Sequence, residues 1–238
     1  MRLRRTELQA RVNGGLKVRF ECQGLTSYAG LELLLQYFRG LGLVRWVREA
    51  IGQALPATDY GASRVVMLLL TMLISGGRRV RHLGYLRNDP IVARTCGLRS
   101  LPTSRSVARW LASFEGAGVE ALCRVNERVA AEGVGAVGSK RLTIDIDGSV
   151  VSTGLQVEGA ERGFNPHHRK APSYYPITAY EAQSGMVLRV QNRPGNIHDG
   201  KASLPFLRDL FEQTDRSFDR VIEEYRMDGA FFRRTCSI

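Results

Sequence analysis

The sequence predicts an α+β chain with an N-terminal all-helical domain followed by a mixed sheet. Up to residue 138 apolar side chains recur at three- and four-residue spacing, and beyond it they alternate with polar ones, the periods of helix and strand respectively. Charge divides at the same place. Residues 1–140 hold 21 Lys and Arg against 10 Asp and Glu, whereas residues 141–238 hold 13 against 13, so the whole net charge of +11 is N-terminal. In the second part, Ile144-Asp145-Ile146-Asp147-Gly148-Ser149 and Tyr225-Arg226-Met227-Asp228-Gly229-Ala230 each set an acid at the end of an apolar, strand-like run.

The elements follow in order. Residues 1–24 are basic and mixed, and the alternation Leu16-Lys17-Val18-Arg19-Phe20 fits a short strand or an arm. From Ser27, Leu31, Leu34, Leu35 and Phe38 mark a helix, and Leu43, Val44 and Val47 continue it after a break at Gly40 and Gly42. Ala62 to Ile74 gives a third helix, and Asn88-Asp89-Pro90 has the form of a helix start with Pro in the first turn. In Leu101-Pro102-Thr103-Ser104-Arg105-Ser106-Val107-Ala108-Arg109-Trp110-Leu111, Thr103 and Ser104 suit capping. Arg105 and Arg109 then stand four apart on one face, with Val107, Trp110 and Leu111 turned inward. Two readings stay open for this helix, recognition in a DNA groove or an ordinary surface helix. Gly116 to Gly133 supplies a further helix, and the glycine-rich stretch Gly133 to Ser139 reads as the linker, dividing the chain into 1–138 and 139–238.

After it, Arg141–Asp147, Tyr175–Ala182 and Met186–Asn192 read as strands, the last two joined as a hairpin across Gln183-Ser184-Gly185. Asp199 suits the cap of a helix reaching about Gln213, with Leu204, Phe206, Leu207, Leu210 and Phe211 on its apolar side, and Arg220–Asp228 is a fourth strand. Three strands, a helix and a strand is the opening order of a ribonuclease H-like fold.

Composition narrows the function classes. Arg makes up 19 of the 21 basic residues before position 141, and guanidinium groups pair bidentately with phosphate, so a polyanion, nucleic acid first, is the expected partner of residues 1–138. Cys22, Cys96, Cys123 and Cys236 are widely spaced with no CxxC pair, which argues against a disulfide framework or zinc finger and for a reducing, cytoplasmic setting. The longest apolar run, Val65 to Ile74, is too short to cross a bilayer of about 30 Å, so no membrane partner is expected.

In a ribonuclease H-like sheet the first and fourth strands are neighbours, which would bring Asp147 and Asp228 together. Paired carboxylates there can hold divalent ions for in-line phosphoryl transfer. The plain alternative is two acids that form turns before glycine. Asp145 shares a face with Asp147 and reads as a supporting carboxylate, a competing ligand or a structural residue. His198-Asp199 suits loop orientation and capping better than acid–base work. The basic loop Arg162–Lys170, with Arg169 and Lys170, reads as a phosphate contact or a solvated loop, and Arg226 as an ion-pair partner of a catalytic carboxylate in preference to a DNA contact.

These residues resemble a known family, the DDE transposases of bacterial insertion sequences, in the branch called transposase DDE domain group 1. The resemblance rests on Leu142-Thr143-Ile144-Asp145-Ile146-Asp147-Gly148-Ser149, Glu158-Gly159-Ala160 with Gly163-Phe164-Asn165-Pro166, Pro172-Ser173-Tyr174-Tyr175-Pro176, Gly195-Asn196-Ile197-His198-Asp199 and Arg226-Met227-Asp228-Gly229-Ala230-Phe231-Phe232. Arg81-His82-Leu83-Gly84-Tyr85-Leu86-Arg87-Asn88-Asp89 and the helix start at Leu101 extend it into the helical region.

The resemblance implies Asp147 and Asp228 as catalytic, metal-binding acids and Mg2+ (or Mn2+) as cofactor. It also implies cleavage and strand transfer at element ends and target DNA, in a bacterial, nucleoid-associated location. The family's third acid, a Glu in a later helix, has no counterpart, so a C-terminally truncated copy with an incomplete ribonuclease H-like sheet is expected, inactive alone. The alternative is a DNA-binding-only fragment that regulates or inhibits the full-length transposase, with association to that enzyme or a homo-oligomer as the expected assembly.

Overall fold

A computed structural model describes residues 26–52, 54–138, 141–153, 157–163, 171–197, 199–218 and 221–231. The chain divides into two compact units, Met1–Glu115 and Gly116–Ile238.

The described part of the first unit is helical: α1 (Gly30–Leu41), α2 (Leu43–Ile51), α3 (Ala62–Ile74), a 3-10 turn at Val80–His82 running into α4 (Leu83–Leu86), α5 (Pro90–Thr95) and α6 (Ser104–Leu111). Of the two glycines at the expected break, Gly40 lies within α1 and the helix ends at Gly42, whose φ of 74° is left-handed and lets its N–H close α1 on the Phe38 and Arg39 carbonyls before α2 starts. Asp89 caps α5 by accepting from the Ile91 N–H at 3.0 Å, with Pro90 at the first helical position where no amide hydrogen is needed. The same carboxylate accepts from the Thr26 hydroxyl at 2.7 Å, which ties down the chain before α1. Thr103 caps α6 by accepting from the Ser106 N–H at 3.1 Å. Val107 and Trp110 are buried, the indole N–H donating to the Pro56 carbonyl at 2.9 Å, while Arg105 and Arg109 face solvent. Leu31, Leu35, Val47, Ile51, Leu68, Leu83 and Val92 fill the core.

The second unit comprises α7 (Gly116–Val137), β1 (Arg141–Gly148), β2 (Val151–Ser152), β3 (Ser173–Tyr174), β4 (Ile177–Glu181), β5 (Val187–Gln191), α8 (Asp199–Ser217), β6 (Val221–Met227) and a 3-10 turn at Gly229–Phe231. Its main sheet has the order β5-β4-β1-β6, with β4 antiparallel to β1 and β5, and β6 parallel to β1. This is the order expected of a ribonuclease H-like sheet. Leu142, Ile144 and Ile146 turn one face of β1 into a core shared with Ile177, Ala179, Leu188, Phe206 and Leu210. The hairpin turn at 183–185 is held by buried Glu181, whose carboxylate accepts from the Gln183 and Ser184 N–H groups at 3.1 and 2.7 Å.

Three local expectations change. The stretch 133–137 is the last part of α7 rather than a linker: Val134 is buried against the sheet, and Gly133 leaves room for Met186, whose side chain a Cβ there would meet at 2.6 Å. Gly138, at φ 71°, follows the helix. The strand expected from Tyr175 begins at Ile177, because Pro176 separates β4 from the β2–β3 ladder, which the sequence does not announce. Of the apolar side expected for α8, Phe206 and Leu210 are buried but Leu204 is exposed.

Candidate active site

The acids stand at equivalent ends of neighbouring strands. β1 and β6 run parallel with Ile144 beside Tyr225, Asp145 beside Arg226 and Ile146 beside Met227. The pairing ends there; continued by one residue it would bring Asp147, the penultimate residue of β1, alongside Asp228, which directly follows β6. Both residues are exposed, as carboxylates that meet a cation and its water must be, whereas the flanking Ile146 is buried.

The two Asp-Gly pairs are not built alike. Gly148 lies in β1 with no left-handed φ, so it is not a turn glycine; a Cβ there would meet the Tyr175 ring at 2.8 Å. That ring is fixed from behind. The Tyr175 N–H donates to the Arg193 carbonyl at 2.7 Å, Arg193 Nε donates to the Tyr175 carbonyl at 3.0 Å, and the buried guanidinium lies 5.1 Å from the ring centre. Gly148 therefore allows an aromatic ring to pack against the strand next to Asp147. Gly229, by contrast, has open space around its Cα and starts a 3-10 turn. Tyr175 and Arg193 had no role in the sequence reading of the site; the signal for them was the glycine beside the acid together with the Tyr174-Tyr175 pair.

Asp145 is not free to serve as a ligand. Arg226 Nε and Nη2 donate to its two oxygens at 2.5 and 2.7 Å, so the arginine expected on a catalytic carboxylate is engaged by the neighbouring one. The reason is register: residues 145 and 226 are direct partners on the strand pair, and Asp147 lies two residues beyond. The bond to Asp145 raises the Arg226 guanidinium above its ordinary value, so it stays fully charged.

Glycine contacts gather the other motif segments. Glu161 and Ser173 form a β-bridge, Tyr174 and Pro194 another, and the Gly195 N–H donates to the Ser173 carbonyl at 2.9 Å. A Cβ on Gly195 would meet the Ser173 and Glu161 carbonyl oxygens at 2.6 and 2.7 Å, so only glycine allows these strands of chain to cross. The segment leads into α8, whose first residue is Asp199; His198, Arg169 and Lys170 lie outside the described residues. Arg105 and Arg109 belong to the first unit, on α6.

Residues 9–237 match the family model for the transposase DDE domain group 1. The chain belongs to that family. No curated protein and no solved structure matches it. DDE transposase domains have a ribonuclease H-like fold and the family generally uses divalent metal ions. In this transposase the donor set fits such an ion in part: Asp147 and Asp228 are exposed carboxylates at the ends of neighbouring strands, and among the described residues no group of three or more acidic, His or Cys side chains gathers. No helix among the described residues is long and apolar enough to cross a membrane.

Proposed function

We propose that the chain acts in DNA transposition, its first unit binding DNA and Asp147 and Asp228 holding a divalent cation, Mg2+ or Mn2+, at a phosphodiester of the element ends or target. The observation that carries this reading is the parallel β1–β6 register, which, continued one residue beyond Ile146 and Met227, would bring the two acids alongside each other. A bound divalent ion would activate the attacking oxygen and stabilise the leaving one. The chain's own groups do the rest. The Asp147 and Asp228 carboxylates orient their oxygens from two rigid strands, Arg226 keeps Asp145 from competing, and the Tyr175 ring limits movement of the strand at Gly148. In the first unit, exposed Arg105 and Arg109 on capped α6 suit phosphate contacts, and Arg169 and Lys170, which fall between β2 and β3 in the sequence, would add to them.

Two carboxylates fill a minor part of an octahedral shell, so loose metal binding is the expected state. The second reading, DNA binding that regulates or inhibits a full-length transposase, is favoured by the concentration of positive charge before residue 141. Both separate in one experiment. The chain is titrated with duplex DNA and then incubated with Mn2+ and the element's end DNA. Binding without cleavage supports the regulatory reading. Cleavage lost in Asp147→Ala and Asp228→Ala supports the catalytic one, and cleavage that survives both substitutions rejects the site assignment.

A further inference from the structure

We infer that the first unit carries a phosphate-docking cleft, built by Arg39, Arg48 and Arg64, that takes the DNA backbone independently of α6. The inference rests on the DNA-binding reading above. These arginines come from three helices, the end of α1, α2 and the first turn of α3, and converge on a cavity of about 760 Å3. All three are exposed, and none forms a salt bridge among the described residues. Arg94 also lines the cavity, but Glu32 is its partner, so its charge is already answered. The floor is apolar, with buried Leu35 and Met67.

Gathering three uncompensated guanidinium groups around one concavity costs repulsion that an anion removes, and each planar fork suits two phosphate oxygens. The extent of the cleft points to a chain of phosphates rather than one ion. Arg64 and Gly97 also line an adjoining cavity of about 360 Å3 that reaches Tyr60 and Arg99, extending the basic surface; Asp59 is the one acid on that side. Described residues 26–115 carry 12 Arg and 5 acidic residues, so the surrounding field is positive and steers DNA inward. The guanidinium groups stand on three separate helices around a concavity rather than in a row along one element that could lie in a groove. The cleft therefore takes backbone without sequence preference and positions the duplex, leaving sequence to other elements.

The test uses the full chain and a duplex of random sequence, with affinity measured by fluorescence anisotropy at four salt concentrations. The Arg39→Gln/Arg48→Gln/Arg64→Gln variant is expected to bind at least about tenfold more weakly and to lower the salt slope by two to three, at about 0.9 per phosphate contact. The triple lysine variant should keep most of the slope. If the parent binds DNA and the Gln variant matches it in affinity and slope, the cleft is overturned while the DNA-binding reading stands. If the parent does not bind, that reading falls first. Equal loss in the Gln and Lys variants with a lowered Tm would mark a packing role and overturn the cleft. Loss of inorganic pyrophosphate binding with DNA binding unchanged would make it a small-anion site and overturn the assignment to DNA.

Discussion

Arg226 holds Asp145 by both oxygens across the parallel β1–β6 pair, each two residues before an acid of its own segment, Asp228 and Asp147 respectively. One carboxylate on the shared face of β1 is thereby neutralised by a cation while the next is left to a different partner.

The separation of roles has a direct test in metal titration. Asp147→Asn and Asp228→Asn should each weaken Mn2+ binding by about tenfold or more, since each removes one of two charged donors. Asp145→Asn should change it by less than about threefold. Mn2+ binding followed by electron paramagnetic resonance measures all three. A loss in Asp145→Asn equal to that in Asp147→Asn would show that Asp145 is itself a ligand. The Asp145–Arg226 pair contributes little to stability, because the Arg226 side chain is 52% exposed and water and salt screen it. A double-mutant cycle should find a coupling that fades as salt rises.

Gly148→Ala drives a methyl group into the Tyr175 ring, which is backed by buried Arg193 and cannot simply swing away. The cost should be about 1–3 kcal/mol, the range for overpacking. Tyr175→Ala in the same chain should remove the clash, so the double variant should lose less than the sum of the singles. Urea unfolding of the four proteins decides it. Gly229→Ala, with open space around the position, should be near neutral.

Burial pushes the Cys96 thiol up to about 11, against the smaller lowering effect of its hydrogen bond to Thr71. The folded state thus holds the thiol proton more tightly than the unfolded chain does. The resulting stability is fully present below about pH 9 and is lost as pH rises through about 11. A rise of that size is worth on the order of 2–3 kcal/mol. Thermal melts of the first unit's transition between pH 8 and 11 should therefore show a shallower pH dependence in Cys96→Ala than in the parent. The same burial predicts that a thiol reagent at pH 8 modifies Cys96 only as fast as the unit opens.

Asn126, on α7, donates to the Val187 and Leu188 carbonyls of edge strand β5 at 3.0 and 3.1 Å. Asn126→Ala should cost about 1 kcal/mol. It should also raise concentration-dependent association measured by light scattering, because the exposed Val187 and Val190 leave β5 open to pairing with another chain.

Much of this molecule was legible as sequence. The third helix, Ala62–Ile74, the caps Asp89 and Thr103, the inward set Leu142, Ile144 and Ile146 and the four strands of the main sheet all follow from periods, caps and turn residues, which act within a few positions of chain. The two acids were also visible, since a carboxylate that ends an apolar run stands out locally. What only the tertiary structure decided depends on residues far apart in sequence. The bidentate partner of Arg226 is set by strand register, an offset that no single strand carries in its own pattern. Gly133 reads as a linker until Met186, from the next hairpin, is seen to need its space. Gly148 reads as a turn until Tyr175 is found against it. The arginines of the first unit look like scattered surface charge along the chain, and only the packing of α1, α2 and α3 brings Arg39, Arg48 and Arg64 to one cavity, because convergence belongs to side chains in space and not to any interval in the sequence.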